Sequence, residues 1–276
     1  MEPPDVADYL RINLANWNSR VPLHEQGYEL DRFRADPSCL SDVVRFDLPR
    51  LGDVAGLDAV HLQCHIGTDT LSLARLGARM TGLDFSPPAL EVAARLAADC
   101  SAQIEYVHSD VDGAVEVLGR ERFDLVYTGV GALCWLPDIR RWAQTVAALL
   151  RPGGRLFIRE GHPVLWALCD PRPDQLLVME YAYFETEGTV FVNETTYVPH
   201  EGAVESPTIV HFNHGLAEIF NALWAAGMQI TLFEEHRSVS WAAMGDAMVE
   251  GELGEWSLRE QPERIPLSYT LRAVKN

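Results

Sequence analysis

From Leu57 to Glu160, short apolar runs alternate with segments in which apolar residues recur every three or four positions. Short apolar runs are typical of buried strands, and the three-to-four spacing is typical of helices packed on a sheet. The pattern predicts five strands, at 58–63, 79–85, 102–108, 123–129 and 155–160, and intervening helices at 68–78, 87–99 and 138–150. Strands that alternate with helices favour βαβ units and a parallel sheet.

The flanking segments have a different character. Residues 1–56 predict helices and loops, and 237–264 show no regular period. Two strand-like runs, 176–184 and 189–198, predict an antiparallel hairpin; a helix at 213–227 and strands at 228–236 and 266–274 follow. We therefore expect an N-terminal helical cover (1–56) on one α/β domain (57–276), whose β-rich insertion (163–210) forms a lid over the substrate-binding site.

Composition and charge exclude several classes of protein. Hydrophobic residues make up 47% of the 276 positions, enough for a sizeable core. Lys and Arg number 22 against 40 Asp and Glu, a formal net charge of −18. A protein that binds phosphate backbones or anionic membranes needs a basic face, so we expect neither partner. The sole lysine, Lys275, disfavours Schiff-base and P-loop chemistry.

The cysteines and the N-terminal sequence indicate a compartment. Five cysteines lie far apart without a CxxC pair, which favours a reducing environment. The first residues lack a basic segment followed by an apolar one, and no stretch approaches 18 apolar residues. We expect a cytoplasmic protein; nothing in the sequence indicates its oligomeric state.

Candidate chemistry lies in the loops that follow the strands, because ligands of parallel sheets bind at the carboxyl ends of the strands. Neither G-x-G-x-x-G nor G-x-x-x-x-G-K-[ST] occurs there. Asp84 ends the second strand, where a carboxylate accepts hydrogen bonds from a ribose, and Asp110 follows the third, where it can accept from an adenine amine. Each acid has an alternative role at a helix N-terminus. Together they indicate a nucleoside without a phosphate cradle.

Three segments carry a resemblance to a known family: HLQCHIGTDTLSLARLGARMTGLDFSPPALEVA, FDLVYTGVGALCWLPD and LLRPGGRLFIRE. In this order and spacing they resemble the class I S-adenosylmethionine-dependent methyltransferases. The resemblance implies a Rossmann-like seven-stranded sheet with the last strand antiparallel. It also implies S-adenosylmethionine as cofactor, S-adenosylhomocysteine as product and a small-molecule acceptor methylated on O, N or C.

The resemblance also assigns residues to parts of the cofactor. It places the methionine end over Gln63, Cys64, His65 and Gly67, the ribose on Asp84, and the sulfonium beside Thr128 and Gly129. It places adenine near Phe85 and Asp110, with the adjacent Ser86 and Val111. Because aromatic faces attract cations, we also expect Trp17 beside the donor.

The first loop departs from the family pattern acid-x-G-x-G-x-G. Its corresponding residues are His61, Gln63, His65 and Gly67, so only the last glycine remains. We expect this loop to hold the cofactor differently, with His65 bonding to the cofactor's carboxylate or packing over it, and His61 within the core. The departure motivates an alternative: a non-catalytic S-adenosylmethionine-binding or regulatory protein of the same fold.

Three residues are candidates for the proton acceptor. His162 follows the fifth strand, and Pro163 favours an extended backbone that can aim its ring into the cleft. Its alternative role is to hold the lid by hydrogen bonding. His24 and Tyr28 in the N-terminal cover are the rivals. His211 and His214 have the spacing of a metal pair but no third ligand nearby, so we predict no metal.

Overall fold

A computed structural model describes residues 8–276, and its centre is a seven-stranded sheet. The strands of the molecule, in chain order, are β1 (Asp58–Leu62), β2 (Arg79–Asp84), β3 (Glu105–His108), β4 (Phe123–Thr128), β5 (Leu150–Gly161), β6 (Thr189–Val192), β7 (Thr208–His211), β8 (Met228–His236), β9 (Ser238–Val239), β10 (Met248–Glu250), β11 (Trp256–Leu258) and β12 (Ser268–Lys275). The order in the central sheet is β3-β2-β1-β4-β5-β12-β8. The first five strands are parallel, and β12 runs antiparallel to both β5 and β8. The predicted Rossmann-like sheet with an antiparallel last strand is confirmed.

Nine helices accompany the strands in the part of the chain that the structure describes. They are α1 (Tyr9–Gly27), α2 (Leu30–Ala35), α3 (Asp42–Leu51), α4 (Thr68–Arg75), α5 (Pro87–Asp99), α6 (Ala114–Leu118), α7 (Ile139–Leu149), α8 (Pro163–Trp166) and α9 (Leu216–Ala225). Side-chain caps define several starts, because Ser and Asp oxygens accept from backbone N–H groups that lack a helical partner. Ser86 accepts from Ala89 N at 3.3 Å and begins α5.

The sheet is buried on both faces. Along β4, Val126 joins α6, α7 and α9 in one apolar cluster, whereas Leu125 and Tyr127 join α3 and α4 in another. Successive strand residues point to opposite faces, so each strand contributes to both clusters. Covered faces of this kind leave the strand ends as the place for polar chemistry.

Helix α1 lies against the two-stranded sheet of β6 and β7. The Asn13 side chain donates to Val210 O at 2.9 Å and accepts from Val210 N at 2.8 Å. Asn16 donates to Ser206 O at 2.6 Å. These bonds satisfy backbone groups of the edge strand β7 that would otherwise lack partners. The N-terminal cover and the 163–210 segment therefore meet directly.

The predicted hairpin of 176–184 with 189–198 is wrong. Strand β6 pairs with β7 instead, and 176–184 contributes only an isolated bridge between Leu168 and Met179. Leu176, Met179 and Phe184 are 56%, 57% and 67% exposed. That run has no buried face to hold it as a strand, whereas β7 buries Ile209 and Val210.

The region 237–264, which has no regular sequence pattern, forms a small sheet in the order β10-β11-β9. A buried ion pair fixes it to β5. Arg159 Nη1 and Nη2 donate to the two Glu255 carboxylate oxygens at 2.9 and 2.7 Å, and the guanidinium lies 3.7 Å from the Phe46 ring centroid. A bidentate pair of this kind fixes orientation as well as position.

Candidate active site

Two adjacent cavities lie at the carboxyl ends of the parallel strands. The strand order reverses between β1 and β4, the place where ligands of such sheets bind. The first cavity is narrow, and its lining includes Phe85, Asp110 and Val111. We call it the adenosine pocket, because the resemblance assigns adenine to these residues. The second, the large cavity, has a volume of about 970 Å³. Trp135 lines both, so the two cavities are neighbours.

The adenosine pocket is mostly apolar and has a few polar groups. Asp110 accepts from Gly113 N at 2.7 Å, so it holds the start of α6 while also lining the pocket. Gln63 donates to Ala132 O at 3.1 Å, but its Oε1 is buried without a partner. An apolar slot with a few convergent polar groups is typical of a small-molecule site.

Asp84 is buried at the end of β2 beside this pocket. Its Oδ2 accepts from His65 N at 2.8 Å and its Oδ1 from Ser86 N at 2.9 Å. Burial raises the pKa of the Asp84 carboxyl to about 6, against the effect of these backbone donors. The carboxylate joins the first loop to the start of α5.

The first loop keeps a left-handed backbone although two of its glycines are missing. Gln63, His65 and Gly67 have φ of 57°, 50° and 79°, all in the region that glycine adopts most easily. That this loop holds the cofactor differently stays a prediction. Its backbone is left-handed at these positions, and the Gln63 and His65 side chains bond to Ala132 O and to His24.

Gly67 has no room for a side chain. A Cβ built there would lie 2.6 Å from the Tyr106 hydroxyl oxygen and 2.8 Å from the Ala93 Cβ. This close approach lets α4 start against α5 and the sheet. Gly67 therefore shapes the loop through both its backbone and its packing.

A pair of histidines joins α1 to the first loop. His24 Nδ1 lies 2.7 Å from His65 Nε2, and His24 Nε2 lies 2.7 Å from Thr196 Oγ1 in the 163–210 segment. Burial lowers the pKa of His65 to about 3 and the pKa of His24 still further. At neutral pH both rings are therefore neutral, and one donates its proton to the other. The Trp17 ring packs edge-on against both histidines.

The large cavity is lined from five parts of the chain. Trp17, Arg20 and Tyr28 come from the N-terminal cover, and Asp69 comes from the first turn of α4. Other lining residues follow β4, belong to the 163–210 segment or belong to the small C-terminal sheet; they include Gly131, Trp135, Trp166, Phe191, Tyr197, Trp241 and Trp256. Aromatic rings dominate this wall.

Asp69 and Arg20 are two cavity residues that our sequence reasoning missed. Asp69 is half-buried, and burial raises the pKa of its carboxyl above the ordinary value. Arg20 is 5% exposed. A stripe in α1 could have revealed Arg20, because the buried polar residues Asn13, Asn16, Arg20 and His24 recur every three or four positions.

Tyr28 lines the large cavity, and its hydroxyl lies 2.6 Å from the Tyr197 hydroxyl. Burial and the neighbouring Tyr197 raise the pKa of the Tyr28 phenol well above its ordinary value. Tyr28 therefore keeps its proton near neutrality and can donate a hydrogen bond to a ligand.

His162 lies away from both cavities. Its Nδ1 accepts from Val164 N at 3.1 Å as the cap of α8, and its Nε2 lies 3.1 Å from Glu235 Oε1. Neither cavity is lined by this residue. Both ring nitrogens are thus engaged in holding α8 against β8, and a role as proton acceptor stays a prediction.

The remaining sequence-predicted residues surround the cavities without lining them. Thr128 is buried with its Oγ1 unpartnered, and Gly129 faces Asp69 and His61. Cys64 is buried, with its N–H bonded to Leu83 O. Ser86 bonds to the side chain of Asn18 in α1 at 2.7 Å.

His211 and His214, which have the spacing of a metal pair, contact aromatic rings and hydrogen-bonding groups. His211 packs between Trp135 and Trp166, and His214 bonds to Glu185 and to Leu136 O. Within residues 8–276, no three His, Cys, Asp or Glu side chains come together as a metal-binding group.

In the part of the chain that the structure describes, no helix combines the length and apolar composition needed to cross a bilayer.

Comparison with known proteins links this geometry to a family. A family model described as "Methyltransferase domain" matches residues 60–156. A ubiquinone biosynthesis O-methyltransferase of Methylobacterium sp. (strain 4-46) is 36% identical over 104 residues. That match covers 38% of this chain and 41% of the relative, so the chain spans less than half the length of the relative it matches.

Solved structures extend the likeness in fold. An S-adenosylmethionine dependent methyltransferase from Mesorhizobium loti superposes with a TM-score of 0.62 at 23% identity, covering 85% of this chain and 98% of that one. The magnesium protoporphyrin IX methyltransferase from Synechocystis PCC 6803, solved with bound S-adenosylhomocysteine, has a TM-score of 0.50 at 18% identity and covers 85% of this chain and 81% of its own. Residues 60–156 thus match a methyltransferase-domain model, and the chain has the fold of class I S-adenosylmethionine-dependent methyltransferases.

Proposed function

We propose that the protein is an enzyme that transfers the methyl group of S-adenosylmethionine to an O, N or C nucleophile of a small molecule. The observation that carries the proposal is the pair of neighbouring cavities at the reversal of strand order, with Trp135 in the wall of each. A narrow slot for a nucleoside beside a roomy aromatic cavity is the arrangement that a donor and an acceptor require.

The residues of the adenosine pocket fit the cofactor that the fold implies. Phe85 and Val111 offer apolar faces for adenine, and Asp110 can accept from its amine. Asp84, which is buried next to Phe85 and outside the pocket wall, can accept from the ribose hydroxyls. The buried, unpartnered Oε1 of Gln63 supports this fit, because an unsatisfied acceptor beside a pocket gains from a ligand donor. The Synechocystis methyltransferase, which shares this fold, binds S-adenosylhomocysteine, and that supports the same cofactor here.

When bound, the cofactor supplies a methyl group that its sulfonium already activates. The chain's own contribution is then to orient the acceptor, exclude water and remove a proton where the nucleophile carries one. Trp17 and Trp135, whose ring centroids lie 5.3 Å apart, line the large cavity and offer faces that attract a cation. The acceptor occupies the large cavity.

For proton removal, the geometry favours Asp69. It is the residue of α4 whose carboxyl lines the large cavity, and its raised pKa makes it a stronger base than an exposed aspartate. Of the candidates named from sequence, Tyr28 lines the cavity but holds its proton, while His24 has both nitrogens engaged. His162 lies outside the cavity wall.

We propose that the N-terminal cover and the 163–210 segment form the lid. The Asn13 and Asn16 bonds to β7 and to Ser206, together with the His24 contact to Thr196, connect the two segments over the first loop. A lid of this kind excludes water from the transfer. The acidic net charge supports a small-molecule acceptor rather than a nucleic acid.

The experiment begins with binding and ends with turnover. S-adenosylhomocysteine should raise the melting temperature, because a ligand that binds only the folded state stabilises it, whereas NAD and ATP should do so far less. Incubation with methyl donor and a metabolite extract should then yield S-adenosylhomocysteine and a product heavier by one methyl group. Equal stabilisation by NAD would contradict the cofactor assignment.

The non-catalytic alternative rests on one observation: side chains replace two glycines in the first loop. Binding of S-adenosylhomocysteine without turnover of any acceptor from the extract would favour that alternative. Because the loop backbone keeps its left-handed form, we expect turnover.

A further inference from the structure

Arg20 is a buried cation without an anionic partner. It lies on α1, is 5% exposed and lines the large cavity. Its Nε is buried without a hydrogen-bond partner, and no carboxylate of residues 8–276 forms an ion pair with its guanidinium. Arginine is rarely buried in this state, because a desolvated charge is costly unless it is paired.

Two other arginines, Arg32 and Arg159, have the carboxylate partner that Arg20 lacks. Arg32 lines the same cavity, but both of its Nη atoms donate to Asp42 Oδ2 at 3.0 Å. The fully buried Arg159 holds Glu255 in a bidentate pair. A guanidinium presents parallel N–H groups that match a carboxylate, so the partner missing from Arg20 has a defined chemistry.

No anionic side chain surrounds Arg20 to take that role. The Trp17 ring centroid lies 5.4 Å from its guanidinium carbon, and its ionisable neighbours include Tyr28, Cys134 and Tyr197. Burial lowers the pKa of Arg20 and raises the pKa of Cys134 and Tyr197, so these neighbours stay protonated near neutrality. A ligand is the remaining source of negative charge.

The position along α1 relates Arg20 to the adenosine pocket. Asn13 lines that pocket, and Arg20 lies seven residues further along the same helix, about 10 Å at the helical rise. Helix α1 therefore runs along both cavities, with Asn13 at the nucleoside slot and Arg20 at the large cavity. With glycines missing from the first loop, the far end of such a ligand needs another partner.

We propose that Arg20 binds a carboxylate in the large cavity. The inference rests on the proposed function and adds an anion site to it. Two sources have the same chemistry: the amino-acid end of S-adenosylmethionine, and an acidic group on the acceptor.

Matched ligands separate the two sources. S-adenosylhomocysteine carries the amino-acid end, and methylthioadenosine is the same nucleoside thioether without it. Benzoate and benzamide differ only in whether the acid is present. Calorimetry on the wild type, Arg20→Gln, Arg20→Lys and a control measures affinity for both pairs, with benzoate and benzamide titrated with and without saturating S-adenosylhomocysteine. The control is Arg11→Gln, because Arg11 is an exposed arginine of the same helix that lines neither cavity.

If Arg20 holds the cofactor, Arg20→Gln should weaken S-adenosylhomocysteine by roughly 10- to 100-fold and leave methylthioadenosine within about threefold. Arg20→Lys should fall between, because it keeps the charge and loses the fork. Arg11→Gln should leave all affinities within about threefold, because its side chain lies outside both cavities. If the acceptor supplies the acid, the selective loss appears for benzoate against benzamide instead.

Equal weakening within both pairs, or no change in either, would overturn the anion site, with circular dichroism and melting temperature confirming that the variant is folded. Failure of the wild type to bind either nucleoside would instead overturn the proposed function. The benzoate and benzamide pair, titrated without cofactor, still tests Arg20 in that case.

Discussion

The adenosine pocket and the large cavity share Trp135 but are built in different ways. Away from α1, the wall of the pocket comes from residues that follow consecutive parallel strands, between Gln63 and Trp142. The wall of the large cavity comes from segments as distant as Trp17 and Trp256. The first is positioned by the sheet itself, and the second by long-range packing of added segments. A common donor site can thus be combined with an acceptor site particular to this chain.

The largest effect that we expect tests which residue accepts the proton. Asp69→Asn should lower kcat by roughly 10²–10⁴, typical for loss of a general base, while S-adenosylhomocysteine binding persists. His162→Ala should keep near-full kcat and lower the melting temperature, because it removes the cap of α8. The kcat of both variants is measured from methyl transfer to the acceptor identified from the metabolite extract. The reverse result would move the base to His162.

The next effect concerns the first loop, which belongs to the side of the site that the sheet positions. Gly67→Ala should reduce the free energy of unfolding by about 2–5 kcal/mol, because it combines a left-handed residue with a clash against Tyr106. Gly227→Ala is the matched control, since φ there is 79°, as at Gly67, and nothing lies within 4 Å of the added Cβ. We expect about 1–2 kcal/mol for the control. Equal losses in urea unfolding would show that packing at Gly67 contributes nothing.

Asp84 gives a moderate effect with a distinctive pH dependence. Asp84→Ala should weaken S-adenosylhomocysteine by about 1–3 kcal/mol in calorimetry. The folded pKa of about 6 lies above the ordinary 3.8, so protonation of this group favours the folded state at low pH, and that contribution is lost as pH rises through 6. Ribose hydroxyls donate to the charged form, so affinity should fall as pH drops below about 6. A flat profile in the wild type would remove Asp84 from ribose binding.

The smallest effect tests the loop backbone. Gln63→Gly should change the free energy of unfolding by less than about 1 kcal/mol, because relief of the left-handed strain offsets loss of the bond to Ala132. Affinity for S-adenosylhomocysteine should change by less than about tenfold. Loss of binding would show that the Gln63 side chain, rather than the backbone, holds the cofactor.

The sequence predicts the part of the molecule that the sheet positions better than the part that distant segments build. Strands β1 to β5, the strand β12 and the Ser86 cap could be predicted because apolar runs, turn residues and capping residues act locally. The antiparallel direction of β12 is implied by the family resemblance alone. The partner of β6 could not, because β7 is four residues long and its pairing depends on α1 covering it. Arg20 and Asp69 gain their environment only when segments more than 100 residues apart meet. Local periodicity carries no information about that meeting.

The shared position of Trp135 has an optical consequence. Indole emission depends on the polarity and charge around the ring, and this ring borders both cavities while its Nε1 donates to Gly131 O at 2.8 Å. Ligands entering from either side therefore perturb one fluorophore. Trp17, whose ring packs edge-on against Trp135 with centroids 5.3 Å apart, is close enough to exchange excitation with it. The molecule thus contains its own reporter of the order in which donor and acceptor arrive.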